Sequence, residues 1–175
     1  MAPLKGALSS AHATRGSILM LLFDLGCRCP ECCALDAAGA NPSTGAVMVV
    51  NGKGKWCTAF VGAKAWRALI AYLRHLTDKS SSAPLWLDEQ GSRLSHTALR
   101  AMLVRRARLA GVPAASPHDF RRAFAIAALR GGMDLISLER LLGHTSLAAV
   151  SRYLKQVEGD LAVAHREAGL VDKLL

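Results

Sequence analysis

Apolar residues recur at helical spacing through 16–25, where "SILMLLFDLG" occupies 17–26 and Asp24 interrupts the run. "CPECCALD" follows and predicts a second helix, with Pro30 in its first turn, where a missing N–H costs little. "GANPSTG" (39–45) is a turn cluster. "AVMVV" (46–50) and "WCTAF" (56–60) flank the tight turn "NGKGK" (51–55), a hairpin pattern. Residues 62–77 fit a helix with Trp66, Leu69, Ile70 and Leu73 on one face. "DKSSSAP" (78–84) reads as a loop, and "LWL" (85–87) as a third, short strand. Ser95 caps a helix over 96–110 that Gly111 ends. "SPHDFRRAFAIAALRGG" opens on a helix start, with Ser116 as cap, Pro117 in the first helical position and Asp119 in the first turn. Asp134 caps "LISLERLL", which Gly143 stops; Ser146 caps "LAAVSRYL"; a final helix covers 158–168. The sum is an α+β fold: one mainly α-helical domain over 1–175 with a small three-stranded antiparallel sheet.

Composition agrees with a globular chain. Of 175 residues, 51% are hydrophobic and 20% charged, which argues against disorder. No apolar run is long enough to span a bilayer, and the N-terminus lacks the ordered regions of a signal peptide. A cytoplasmic, nucleoid-associated bacterial protein without membrane partners is expected. The net charge is +9, and it is uneven: from Arg93 to Arg130 there are eight arginines and one acid, Asp119. Such clustering suits a polyanion, nucleic acid first, against the plainer alternative of a solvated basic face. Arg105, Arg106, Arg121 and Arg122 in this stretch, with Arg28 and Lys55 outside it, are the expected DNA contacts.

Candidate chemistry narrows the choice. "GCRCPECC" (26–33) packs four cysteines around Arg28, and Cys29-Pro30-Glu31-Cys32 looks like half of a zinc ribbon. A structural zinc needs four ligands, usually as two pairs, and only Cys57 remains elsewhere. No zinc is therefore expected unless His12 or another distant histidine contributes, and the cysteines are read as small, readily buried hydrophobes. His118 and Arg121, at i and i+3 in a helix's first turn, share a face where free N–H groups favour an anion. Lys53 sits between glycines at the hairpin tip, without P-loop spacing. His144 follows the helix-ending Gly143. Nine residues later Tyr153 lies roughly 90° from the stripe of Leu147, Val150 and Leu154, at its edge.

Taken in order, these segments resemble the tyrosine recombinases, the phage integrase, Cre and Xer family. "GCRCPECCALD" resembles the family's "TGLR-x-x-E-L-x-x-L" box, with Cys27 and Cys32 at positions usually leucine. "NGKGK" resembles its hairpin lysine, "HDFR" its H-x-x-R box, and "LLGHTSLAAVSRYL" its "LLGH…Y" box. The resemblance implies that Tyr153 is the nucleophile, giving a 3′-phosphotyrosyl intermediate. It implies that Arg28, Arg121 and His144 bind the non-bridging oxygens of the scissile phosphate, that Lys53 protonates the leaving 5′ oxygen, and that His118 assists proton transfer or positions the phosphate. The hairpin is shorter than the family pattern after Lys53, so Lys55 stays open as the leaving-group acid, with Lys53 favoured.

The resemblance further implies no metal and no cofactor, double-stranded DNA as partner and a homotetramer on DNA, with a monomer expected when free. It also implies a separate N-terminal DNA-binding domain, expected to be absent here because only 27 residues precede Arg28. Duplex affinity should then be weaker and more salt-sensitive than a two-domain clamp gives. Residues 158–175 are expected to dock into a neighbouring subunit. Three alternatives stand beside the recombinase: a catalytically idle DNA-binding relic, a type IB topoisomerase-like nicking and rejoining enzyme, and a zinc-ribbon regulator.

Overall fold

The structure is a computed structural model that describes residues 15–143 apart from 42, 51–55 and 79. Lys53, Lys55, His144, Tyr153, the helix expected after Ser146 and the whole of 158–175 lie outside the described residues. The chain forms two compact units, residues 1–124 and 125–175.

In the first unit a helix runs through 15–25 (α1). Its i, i+3, i+4, i+7 residues Ile18, Leu21, Leu22 and Leu25 are buried, as the periodicity predicts. Ser17 is buried beside them and donates its hydroxyl to the Ala68 carbonyl at 2.8 Å. A five-residue helix, α2 (Cys29–Cys33), follows with Pro30 at its start. Then come the two-residue strand β1 (Ala40–Asn41), β2 (Ala46–Val50) and β3 (Trp56–Phe60), paired antiparallel in the order β1-β2-β3. Val47 and Val49 point into the core, whereas Met48 is exposed, the period of two expected of a half-buried sheet.

The sheet has three strands, but the third is not 85–87. It is β1, inside the segment read as a turn cluster. Leu85 and Trp86 are fully buried, which gives "LWL" its strand-like hydrophobicity. Their segment makes only isolated bridges, Asp36 to Pro84 and Leu87 to Arg93. The helix predicted over 62–77 is shorter, α3 (Ala63–Leu73), and its buried face is Ala65, Leu69 and Tyr72 rather than Trp66, Leu69, Ile70 and Leu73. Trp66 and Leu73 pack at the margin of the core. Tyr72 is drawn inward because its hydroxyl finds the Leu85 carbonyl at 2.6 Å and its ring stacks on Trp86, centroids 5.2 Å apart. The α3 N-terminus is capped from a distance: the Gly62 N–H donates to the Asp24 carboxylate of α1 at 2.5 Å.

Helix α4 (His96–Ala110) has the predicted ends. The Ser95 hydroxyl accepts from the Ala98 N–H at 3.1 Å, and Gly111 closes the helix in the left-handed region at φ +67°. Helix α5 (Pro117–Arg130) also begins as predicted, and the boundary between the two units falls within it. In the second unit, α6 (Leu135–Leu142) is capped by Asp134, which accepts from the Ser137 N–H at 2.9 Å, and ends at Gly143 with φ +58°. Its Leu138 and Leu142 are buried. Among the described residues no helix is long and apolar enough to cross a membrane.

Cys27, Cys29, Cys32 and Cys33 all belong to the core of the first unit as free thiols. Burial pushes the Cys33 thiol up to about 12, and burial raises Cys29 as well. Cys32 is raised first by hydrogen bonding with Cys27 and then by burial. Thiols so placed are poor nucleophiles, and the core accommodates them as it would other small apolar groups.

A group whose folded value is raised stabilises fully below its unfolded value and loses that contribution as pH climbs toward the folded one. For Cys33 the window runs from 9.0 to about 12. Under reducing conditions, urea unfolding at pH 8 and pH 11 should therefore show a loss of stability. A Cys33→Val variant should lose less across the same interval, by roughly 2 kcal/mol.

Candidate active site

Gly26 ends α1 with φ +56°, a conformation that a side chain would strain. The turn aims its carbonyl back at α5, where it accepts the Arg121 NH1 at 2.7 Å across 95 residues of sequence. The Phe124 ring lies against the same glycine, filling the space a Cβ would need.

Two residues later Arg28 is the N-cap of α2, with extended backbone (φ −72°, ψ 154°). Its backbone N–H donates to Glu31 Oε2 at 2.7 Å, and its NH1 donates to Glu31 Oε1 at 2.7 Å. One carboxylate thus fixes both the main chain and the side chain of the same arginine. Glu31 is 7% exposed, and its Oε2 also stands 4.0 Å from Arg121 NH1. The Arg121 guanidinium is buried, at 4% exposure, while that of Arg28 remains 41% exposed. The structure therefore brings Arg28 and Arg121 to one carboxylate. Two cations facing one anion leave an excess positive charge in a partly desolvated place, an arrangement suited to an oxyanion. Charged groups this deep are costly unless paired, and removing one partner of such a set typically costs about 3–5 kcal/mol.

Helix α5 also carries His118, which is exposed and, among the described residues, makes no hydrogen bond or ion pair with Arg28 or Glu31. The Ser116 N–H donates to Asp119 Oδ2 at 2.8 Å, and the Asp119 N–H donates to the Ser116 hydroxyl at 3.3 Å, a reciprocal cap. These bonds from Ser116 hold the Asp119 carboxyl below its usual value. With Asp119 turned to its cap, His118 stands exposed in the first turn, three residues before the buried Arg121. The i, i+3 pair is thus split between solvent and interior.

The arginine-rich stretch is not one basic surface. Arg105 is exposed, 3.8 Å from Glu89, Arg106 is half-buried and Arg122 is exposed. Arg121 faces the interior, and Arg93 pairs with Asp36 at 2.6 Å. Among the described residues no three His, Cys, Asp or Glu side chains converge as a metal-ligand set.

Residues 3–159 match the profile of the phage integrase family. The chain belongs to that family.

Relatives within it include tyrosine recombinases XerC. That of Myxococcus xanthus is 36% identical over 146 residues, covering 78% of this chain and 48% of the relative. That of Pelobacter propionicus is 31% identical over 138 residues, covering 78% and 46%. That of Mycobacterium leprae is 33% identical over 156 residues, covering 86% and 52%. This family member thus spans about half the length of the curated relatives it matches. Solved structures share the fold. XerA recombinase superposes with a TM-score of 0.78 at 22% identity, over 93% of this chain and 60% of that one. XerH recombinase bound to its difH substrate gives 0.70 at 21% identity, over 83% and 43%.

Gly26 and Glu31 were in the matched box without an assigned role. The signal for Glu31 is its place as the glutamate of that box, three residues after Arg28, and nothing local reveals that Arg121 reaches the same carboxylate. Gly26→Ala should lower stability by about 2–4 kcal/mol, from the left-handed backbone and the overlap with Phe124 together. Thermal or urea unfolding of the two proteins measures it.

Proposed function

We propose that this chain is the catalytic domain of a site-specific DNA recombinase that cleaves and rejoins strands through a 3′-phosphotyrosyl intermediate. The observation that carries this is the pairing of Arg28 and Arg121 around Glu31, within a chain whose family is established. Phosphoryl transfer requires positioning and neutralisation of charge on the equatorial oxygens more than covalent help from the protein. Arg28 and Arg121, with His144, bind those oxygens. Arginine's planar fork suits this, and Arg28 has part of its guanidinium open to solvent. Tyr153 attacks the phosphorus and becomes esterified to the 3′ phosphate. The leaving 5′ oxygen takes its proton from Lys53, with Lys55 as the alternative donor, and His118 positions the phosphate or relays a proton. The bond energy stays in the phosphotyrosine, so an incoming 5′-hydroxyl reverses the step onto another strand without metal or nucleotide. Double-stranded DNA is the partner, with Arg105, Arg106 and Arg122 as further backbone contacts.

Tyr153→Phe should abolish covalent attachment to a suicide DNA substrate while leaving non-covalent binding nearly intact. Arg28→Ala should retain binding but slow attachment by about a hundredfold or more, the usual cost of removing a contact made to developing charge. A denaturant-stable adduct formed by the Phe variant would sink the nucleophile assignment. Equal losses of binding and cleavage in Arg28→Ala would make that arginine a simple phosphate anchor.

The domain assembles as a tetramer on paired sites, with 158–175 docking into the neighbouring subunit. Leu161, Ala162, Ala164, His165 and Ala168 form a stripe at helical spacing directly after Tyr153, which supports this role. Deleting 158–175 should impair assembly on a two-site DNA more than binding to a single site. Sedimentation of both chains with each DNA measures the difference, and equal assembly would remove the tail from the proposal.

A further inference from the structure

Helix α2, which carries Arg28 at its N-cap, has five residues. A helix this short does not persist on its own, because nucleation is not repaid by so few hydrogen bonds. Its N-terminal end is held by Glu31. At its C-terminal end the Pro30 and Cys32 carbonyls accept backbone N–H groups, and one side chain takes the Cys33 carbonyl together with that of Leu35 just beyond the helix. Arg93 NH1 donates to the Cys33 carbonyl at 3.3 Å and to the Leu35 carbonyl at 3.1 Å, and NH2 donates to Asp36 Oδ1 at 2.6 Å. A cation at the C-terminal end also complements the helix dipole.

Arg93 is itself anchored. It forms a bridge with Leu87, and the next residue, Leu94, donates its N–H to the carbonyl of the fully buried Trp86 at 2.9 Å. The turn between them is tied by Asp88, which accepts the Gln90 N–H at 3.0 Å and the Ser92 N–H at 2.9 Å. The Leu35 carbonyl that takes Arg93 also accepts the Leu85 N–H at 2.8 Å. The guanidinium therefore joins α2 to a backbone framework built on the core.

We propose that Arg93 is a positioning residue for the reaction, fastening the free end of α2 so that Arg28 is presented in one geometry. This rests on the recombinase reading for its effect on cleavage, though not for its effect on α2. It also sets Arg93 apart from Arg105, Arg106 and Arg122 of the same arginine-rich stretch, which are proposed to contact DNA. Lysine replaces it poorly, because one ammonium cannot span two carbonyls and a carboxylate as the planar fork does.

The test compares the full chain with Arg93→Met, Arg93→Lys and Arg93→Ala. Hydrogen exchange at the amides of Cys32, Ala34 and Leu35 should accelerate about tenfold or more in Arg93→Met, with exchange in α4 unchanged. On a suicide DNA substrate, single-turnover attachment should slow by a similar factor while affinity and its salt dependence stay as in the parent. Added guanidinium should restore part of the rate to Arg93→Ala but not to Arg93→Met, whose side chain fills the site. Weaker binding with a salt slope reduced by about one would make Arg93 a phosphate contact and overturn the proposal. Uniformly faster exchange along the chain, or no change at α2, would overturn it as well. If the parent protein forms no adduct, the recombinase reading fails, and the exchange measurement still decides whether Arg93 holds α2.

Discussion

The Arg121 guanidinium is taken almost wholly out of water, and the surrounding structure has to compensate that charge. Two of its partners come from one short stretch of chain: the Gly26 carbonyl at 2.7 Å and the Glu31 carboxylate at 4.0 Å. The first requires a glycine at positive φ, with the Phe124 ring against the place a Cβ would take. The second requires a helix start at residue 28, so that residue 31 turns inward. Because the same carboxylate holds Arg28, the two arginines cannot move independently. Displacing the turn at Gly26 would take the carbonyl from the buried Arg121 and disturb the cap that holds Arg28.

The cysteines fit this constraint. Residues 26–33 must place a left-handed turn, a cap, an inward carboxylate and several core side chains within eight positions. Cys27, Cys29, Cys32 and Cys33 are small and apolar enough to be buried beside that polar cluster without demanding the volume of leucine. Burial raises the thiols of Cys29 and Cys33, and hydrogen bonding with Cys27 followed by burial raises that of Cys32, so that Arg28 and Glu31 are the charged side chains of residues 26–33.

The features legible in the sequence were those written locally. Ser95, Ser116 and Asp134 with Gly111 and Gly143 marked helix ends because capping depends on residues three or four apart. The short apolar run "AVMVV" marked a strand for a similarly short-range reason, but reading it as buried missed that Met48 is exposed. The rest depended on long-range pairing. "LWL" has the hydrophobicity of a strand because Leu85 and Trp86 are buried, but its backbone meets only isolated partners. Ala40 and Asn41 form the third strand by lying beside Val47 and Ala46, which a turn-like composition conceals. For the candidate site, the matching boxes singled out Arg28, His118 and Arg121, of which Arg28 and Arg121 meet at Glu31. They did not distinguish the exposed His118 from the buried Arg121, nor show that Arg93 belongs to the framework rather than to a basic surface.

The bond from the Gly62 N–H to Asp24 has a consequence for tolerance to change in chain length. It fastens the exit of the β2–β3 hairpin to α1, the helix that leads directly into Gly26 and Arg28. Ladder pairs from Ala46–Phe60 to Val50–Trp56 then extend from that fixed root toward residues 51–55. Insertions or deletions at the far end alter the reach of the hairpin, but the root stays fixed relative to the arginine segment. A change of length at the tip of this hairpin is therefore accommodated away from the turn that carries Gly26 and Arg28.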